Sequence, residues 1–88
     1  MSALETIDAR GLLCPLPVIR TQDAIRKLIP GTVLEVLATD IGTLQDIPAW
    51  CRIHGHELLS VEEYADDQED AGGRQTIRIT IRVVADDA

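Results

Sequence analysis

Phenylalanine is absent from this 88-residue chain, and Trp50 and Tyr64 are its only aromatics. Any core must therefore be aliphatic, and a hydrophobic content of 45% is enough for one small domain spanning residues 1–88. Basic residues are scarce as well: eight Lys plus Arg face fifteen Asp plus Glu, for a net charge of −7. A surface that grips nucleic-acid phosphates needs a basic stripe, and base stacking needs aromatics, so direct nucleic-acid binding is not expected. The acidity fits either plain solubility or docking on basic patches of larger proteins. No apolar run approaches the ~20 residues that cross a bilayer, and residues 1–9 carry no signal-peptide pattern, so no membrane is expected and the cytoplasm is the expected location. Cysteine is limited to Cys14 and Cys51, and in a reducing compartment two such residues are expected to be free thiols.

What is present reads as alternating strands and helices. Leu4–Asp8 has the modest alternation of a short strand. From Cys14 the period changes: Val18, Thr21, Ile25, Leu28 and Ile29 share a helical face, and Pro30-Gly31 predicts the stop. Thr32–Thr39 is β-rich and apolar on both sides apart from Glu35, as in a central strand. Asp40–Gly42 reads as a turn. Thr43 and Asp46 are spaced as a capping box, with Leu44, Ile47 and Cys51 on one face of a second helix ending near His54-Gly55. Pro48 would clash with the Leu44 carbonyl in a regular helix, so either the helix begins near 46–48 or its first turn is loose. Glu57–Tyr64 reads as a strand with Leu59 and Val61 inward, and Gln75–Val84 as the clearest strand, its Ile77, Ile79, Ile81 and Val83 alternating with polar partners. Ala65–Arg74, with Gly72-Gly73, reads as a flexible hairpin loop, and Ala85–Ala88 as a fraying tail. The order β-α-β-α-β-β with right-handed crossovers predicts an α+β two-layer sandwich. Both helices lie on one face of a mixed four-stranded sheet, and Arg78, Thr80 and Arg82 are on the other.

The chemistry concentrates at Arg10-Gly11-Leu12-Leu13-Cys14-Pro15-Leu16-Pro17. Proline is favoured in a first helical turn. With Cys14 as N-cap, its sulfur lies at the positive end of the helix dipole with only the Leu16 and Val18 N–H groups to face it, which predicts moderate activation as a thiolate. The bland reading of Cys14 is a buried, inert cap. Leu13 could staple onto Val18, with Leu12 and Leu16 forming an apolar collar suited to docking against another protein's active site. Arg10 is expected to add positive potential.

The other candidates have simple structural readings. Cys51 lies on an apolar helix face, so a buried structural thiol is favoured over a resolving cysteine. Cys51, His54 and His56 have a metal-like spacing but lack a fourth ligand, and no metal is expected; His54 or His56 is read as complementing the dipole at a Gly55-capped helix end. Asp40 and Asp46 could be paired carboxylates for acid–base work, but turn and capping roles account for both. No Ser/His/Asp arrangement, phosphate loop or dinucleotide fingerprint is present.

The string Asp8-Ala9-Arg10-Gly11-Leu12-Leu13-Cys14-Pro15-Leu16-Pro17 closely resembles the TusA/SirA family of small sulfur carriers. Asp46-Ile47-Pro48-Ala49-Trp50-Cys51 followed by Gly55-His56-Glu57-Leu58 resembles it too. The resemblance implies a fold similar to the C-terminal domain of translation initiation factor three. It implies that Cys14 is the catalytic cysteine of a Cys-Pro-x-Pro motif and accepts sulfane sulfur as a persulfide. Pro15, Leu16, Pro17, Arg10 and Gly11 would support it, with Leu12 and Leu13 meeting the partner. A sulfurtransferase of this kind needs no cofactor of its own. Its donor would be a cysteine desulfurase or a rhodanese and its acceptor a DsrE-like or similar protein. The relay would serve tRNA thiolation, molybdenum-cofactor synthesis or sulfur oxidation, and the carrier is expected to be a monomer. The rival expectation is a non-catalytic regulatory or interaction module using the Arg78/Arg82 face or the collar. This chain departs from the family pattern at Leu16, where tRNA-thiolating members carry an acid, and at Asp40-Ile41, where Asp-Pro is common.

Overall fold

A computed structural model of the chain describes residues 4–65 and 75–85. Its elements are β1 (Leu4–Ala9), α1 (Leu16–Arg26), β2 (Val33–Ala38), α2 (Thr43–His54), β3 (Glu57–Ala65) and β4 (Gln75–Arg82). The strands form one mixed sheet in the order β1-β2-β4-β3. β1 runs parallel to β2, while β4 is antiparallel to both β2 and β3. Both helical crossovers advance across the sheet in the same direction, so their common handedness puts α1 and α2 on one face. The expected α+β sandwich is present. Of the expected loop Ala65–Arg74, Ala65 closes β3 and the rest lies outside the described residues, as does the expected tail Ala85–Ala88 beyond Ala85.

The core follows from the alternation in β2 and β4. Leu34 pairs with Ile81, Val36 with Ile79 and Ala38 with Ile77, so these side chains share the helix-covered face. Leu34, Val36, Ile79 and Ile81 are fully buried there with Ile47 from α2. Each full burial of such a side chain stabilises by about 1.5–3 kcal/mol, and β-branched residues suit a pleated surface, which explains how a core without phenylalanine holds together.

Helix α1 buries Pro17, Thr21 and Ile25, and the Thr21 hydroxyl donates to the Pro17 carbonyl at 2.8 Å. The helix ends at Arg26, earlier than Pro30-Gly31 predicts. Pro30 disfavours helical backbone at Ile29, and the last turn tightens through Lys27 and Leu28 N–H bonds to the Ala24 and Ile25 carbonyls. Leu28 still packs on the core, but Ile29 is 70% exposed and is not part of the buried face.

The expected capping box of α2 is absent. Gly42 is the N-cap, and the Thr43 hydroxyl donates to the Asp40 carbonyl instead of accepting a helix N–H. Thr43, Leu44 and Gln45 donate to carbonyls three residues back before Asp46 reaches Gly42. This is the loose first turn that admits Pro48. Gly55 closes the helix with φ +78, a left-handed conformation suited to glycine.

Strand β3 is an edge strand, and none of its residues is buried. The expected inward Leu59 and Val61 are 38% and 40% exposed. Register slips between Leu58 and Ser60, which leaves Leu59 without a partner on β4. Val61 pairs with Ile79 and shares its side of the sheet, but at the rim, where one flank meets water. Among the described residues no helix is long and apolar enough to cross a membrane.

Candidate functional site

Parallel pairing of β1 and β2 brings their C-terminal ends side by side, Ala9 against Ala38. The chain leaving β1 and the chain leaving β2 therefore meet above the sheet, and Cys14 lies where they meet. Asp8 holds Arg10 through two 2.9 Å bonds to the guanidinium, Nε to Oδ1 and Nη2 to Oδ2, and also accepts the Arg10 amide at 3.0 Å. The Arg10 guanidinium keeps the Asp8 carboxyl below the usual carboxylate range. Arg10 thus braces the loop through Asp8, which partly balances its charge. Gly11 takes φ +82, which a side chain rarely tolerates, and its N–H donates to Thr39 Oγ1 at 2.9 Å.

The N-cap of α1 is Pro15, with Leu16 and Pro17 following at N1 and N2. Cys14 is one residue outside the helix, which corrects the N-cap expectation. Its N–H is drawn across to Asp40 Oδ2 at 2.7 Å, so the residue is anchored to the β2–α2 turn. The Cys14-Pro15 peptide is cis. The two N–H groups expected to face the sulfur are engaged elsewhere: Leu16 donates to the Leu13 carbonyl at 2.9 Å and Val18 to the Pro15 carbonyl at 3.1 Å.

Cys14 is exposed, not buried as an inert cap would be. Its Sγ donates to Asp46 Oδ2 at 2.8 Å. Asp40 accepts twice from the backbone, Cys14 N–H on Oδ2 and Gly42 N–H on Oδ1 at 3.0 Å. The Gly42 and Cys14 N–H groups keep the Asp40 carboxyl below the carboxylate range. The thiol is moved the other way. The hydrogen bond to Asp46, then slight desolvation and the negative charges of Asp46 and Asp40, raise it above the ordinary thiol value. The expected ground-state activation is therefore reversed, because the groups acting on the sulfur are carboxylates and not helix N–H donors.

Asp40 and Asp46 were thus more than turn and cap residues. The signal was available in topology: once β1 and β2 are parallel neighbours, the acids following β2 must stand beside the cysteine following β1. Gly42 sits between them, and a Cβ there would make only ordinary contacts, 3.5 Å from Asp40 Oδ1 and 3.7 Å from Asp46 Oδ2, so the closeness of the two acids does not depend on glycine at this position.

The two leucines exchange roles. Leu12 packs against the core, while Leu13 is 69% exposed and forms no staple. Leu16 and Ile41 are exposed as well, so the apolar rim near the sulfur is Leu13, Leu16 and Ile41. A leucine that turns inward cannot be a docking residue, and Leu12 leaves the expected pair.

The remaining candidates are dispersed. Cys51 is buried in the core, where burial pushes its thiol up to about 11. His56 Nδ1 accepts the Val84 N–H at 3.1 Å, and the Trp50 ring stacks on His56 and tilts against His54. With Gln22 and Arg26 these rings line a cleft of about 350 Å³ at the far end of α1 from Cys14. On the helix-free sheet face, Arg78 reaches Glu62 at 2.9 Å and lies over the Tyr64 ring, and Arg82 reaches Glu57 at 3.1 Å. That face is cross-braced by opposite charges and is not a bare cationic surface.

The structure is a small α+β sandwich with one thiol in its core and the other exposed at the strand ends. Comparison with known proteins identifies the family. The family model described as sulfurtransferase TusA matches residues 5–83. The sulfur carrier protein TusA of Pseudomonas entomophila (strain L48) is 50% identical over 60 residues, which are 68% of this chain and 75% of that protein. Sulfur carrier protein TusA of Pseudomonas aeruginosa (strain LESB58) is 48% identical over 59 residues, 67% of this chain and 75% of that one. The crystal structure of a SirA-like protein from Desulfitobacterium hafniense matches with a TM-score of 0.66 and 29% identity, covering 92% of this chain and 99% of that chain. The chain belongs to the TusA family, and its role is that of a sulfur carrier.

Proposed function

We propose that this carrier works as a sulfurtransferase through a persulfide on Cys14. The observation that carries this reading is the exposed Cys14 thiol in a Cys-Pro-x-Pro loop braced from both strand ends. The Cys14 sulfur attacks the outer sulfur of a donor persulfide, and the donor's sulfur–sulfur bond breaks. An acceptor cysteine on the next protein later attacks the terminal sulfur held on Cys14 and frees the Cys14 thiol. Both steps are thiol–disulfide exchange applied to a persulfide, and their rates depend on access and on the attacking thiolate.

Pro15 and Pro17 stiffen the presentation, Gly11 and Arg10 hold the loop's turn, and Leu13 and Leu16 meet the partner. The donor is a cysteine desulfurase or a rhodanese, and the acceptor is a DsrE-like or similar protein. The carrier works as a monomer in the cytoplasm, in tRNA thiolation, molybdenum-cofactor synthesis or sulfur oxidation. Leu16, uncharged between the prolines, suits partners that do not require an acid at that point.

The test is mass spectrometry after exposure to a desulfurase with cysteine, or to a rhodanese with thiosulfate. Cys14 is expected to gain about 32 Da, one sulfur atom. Cys14→Ser is expected to fold and fail to load. A gain on Cys51 alone, or none on either thiol, rejects the reading.

A further inference from the structure

We propose that Asp46 is a catalytic residue of sulfur loading: its carboxylate takes the Cys14 proton as the new sulfur–sulfur bond forms and passes it to the departing donor thiolate. This rests on the persulfide reading above and assigns its proton.

The two carboxylates near the sulfur are not equivalent. Both oxygens of Asp40 are committed to backbone N–H groups, Cys14 on Oδ2 and Gly42 on Oδ1. Asp40 therefore holds the loop and is poorly placed to receive a further proton. Asp46 Oδ2 instead faces the thiol at 2.8 Å, within the reach a general base needs. Its backbone is fixed by the first α-type bond of α2, Asp46 N–H to the Gly42 carbonyl at 3.0 Å. The base thus stands on a helix and the nucleophile on a loop tied to the same turn. Arg10, the charged residue nearest in sequence to Cys14, is held by Asp8.

The step balances. Donor–S–SH and Cys14–SH give donor–SH and Cys14–S–SH. The Cys14 Sγ–S bond forms and the donor S–S bond breaks. The bonding pair leaves on the donor sulfur, which collects the proton from Asp46. The donor sulfur is reduced as far as the Cys14 sulfur is oxidised, so no outside oxidant enters.

One carboxylate then has two opposed effects. In the free carrier it disfavours a bare thiolate, which slows small electrophiles that need one preformed. In the docked complex it removes the proton in place. A residue with a purely structural role would not separate these.

The experiment uses the full chain and its Asp46→Asn and Asp46→Glu variants. Alkylation of Cys14 by iodoacetamide is followed across pH, and single-turnover loading from a persulfidated cysteine desulfurase is followed by mass. For Asp46→Asn the alkylation profile is expected to move to lower pH, with faster alkylation at neutral pH. Loading is expected to slow by roughly 10²-fold, the low end of general-base effects. Asp46→Glu keeps the base and is expected to load faster than Asp46→Asn. The proposal is overturned if Asp46→Asn loads as fast as the wild type, if its alkylation and loading fall together, or if Asp46→Glu loads no faster than Asp46→Asn. A wild type that gains no sulfur at Cys14 rejects the persulfide reading itself, and the Asp46 assignment with it. Normal wild-type loading matched by Asp46→Asn rejects the Asp46 assignment alone.

Discussion

Asp40 Oδ2 accepts the Cys14 N–H at 2.7 Å, while its other oxygen accepts the N–H of Gly42. One side chain from the end of β2 thereby ties the cysteine loop to the start of α2. Asp40→Ala leaves both N–H groups to water and frees the loop. Amide hydrogen exchange is expected to accelerate at Cys14 and Gly42 and to stay unchanged at Ile79 in the sheet. Equal protection of Cys14 in the variant and the wild type would show that the anchor is dispensable.

The carboxylates around Cys14 set a definite pH dependence. The folded protein raises the thiol, so alkylation of Cys14 is expected to keep climbing with pH beyond about 8.5, the ordinary thiol value. The protonated thiol is the form the fold favours. Its contribution is complete below that value and is lost as pH rises through the folded one. The Asp8 and Asp40 carboxyls are lowered, so their contribution is present above about pH 4 and is lost as pH falls through their folded values. Spectroscopic pH titration of Arg10 and Cys14 amide signals should therefore show the Asp8 and Asp40 anchors loosening in acid below about pH 4, and the Cys14–Asp46 contact loosening separately in alkali above the ordinary thiol value. A thiol that ionises below the ordinary value would contradict the Asp46 contact.

The elements were legible in the sequence because their periods are clean. Ile77, Ile79 and Ile81 alternate without interruption, and Gly55 marks its helix end. Pro30 was over-read: it forces the chain out of the helix ahead of itself, so Ile29 turned outward instead of closing the apolar face. Leu59 and Val61 were misjudged because alternation does not report whether a strand is central or at an edge. At the site, the motif around Cys14 was legible but its electrostatics were not. Local reading placed the sulfur on a helix dipole, whereas parallel pairing of β1 with β2 delivered Asp40 and Asp46 from far along the chain. Thr43 and Asp46 also have capping-box spacing, and that local reading hid the contact Asp46 makes with the thiol.

Cys51 is 1% exposed among Ile47, Ile79 and Ile81, and burial pushes its thiol up to about 11. In the folded protein it is expected to resist iodoacetamide at neutral pH and to react once denatured. Cys51→Ser would place a hydroxyl in an apolar setting and is expected to cost about 1–3 kcal/mol, read as a lower thermal midpoint. Persulfide loading at Cys14 should persist in the surviving folded fraction. Loss of loading in a folded Cys51→Ser protein would instead make Cys51 a resolving partner.

Leu12 and Leu13 are adjacent in sequence and face opposite environments, so they separate stability from docking. Leu12 is partly buried and packs against the core, whereas Leu13 stands 69% exposed, and Leu16 and Ile41 are exposed too. Leu12→Ala removes packed methyl groups from a partly buried site. It should cost about 1–2 kcal/mol, less than the 2–5 kcal/mol of a full core truncation. Leu13→Ser removes apolar surface that is already in water and should change stability by no more than about 0.5 kcal/mol. The loading rates should rank the other way. Leu13→Ser is expected to weaken capture by the donor, raising the donor concentration needed for half-maximal loading. Leu12→Ala, where folded, should load like the wild type. Denaturant melts paired with donor titrations read both quantities on the same samples. If Leu12→Ala were the variant that lost donor capture while remaining folded, the apolar rim would have to be redrawn around the inward leucine.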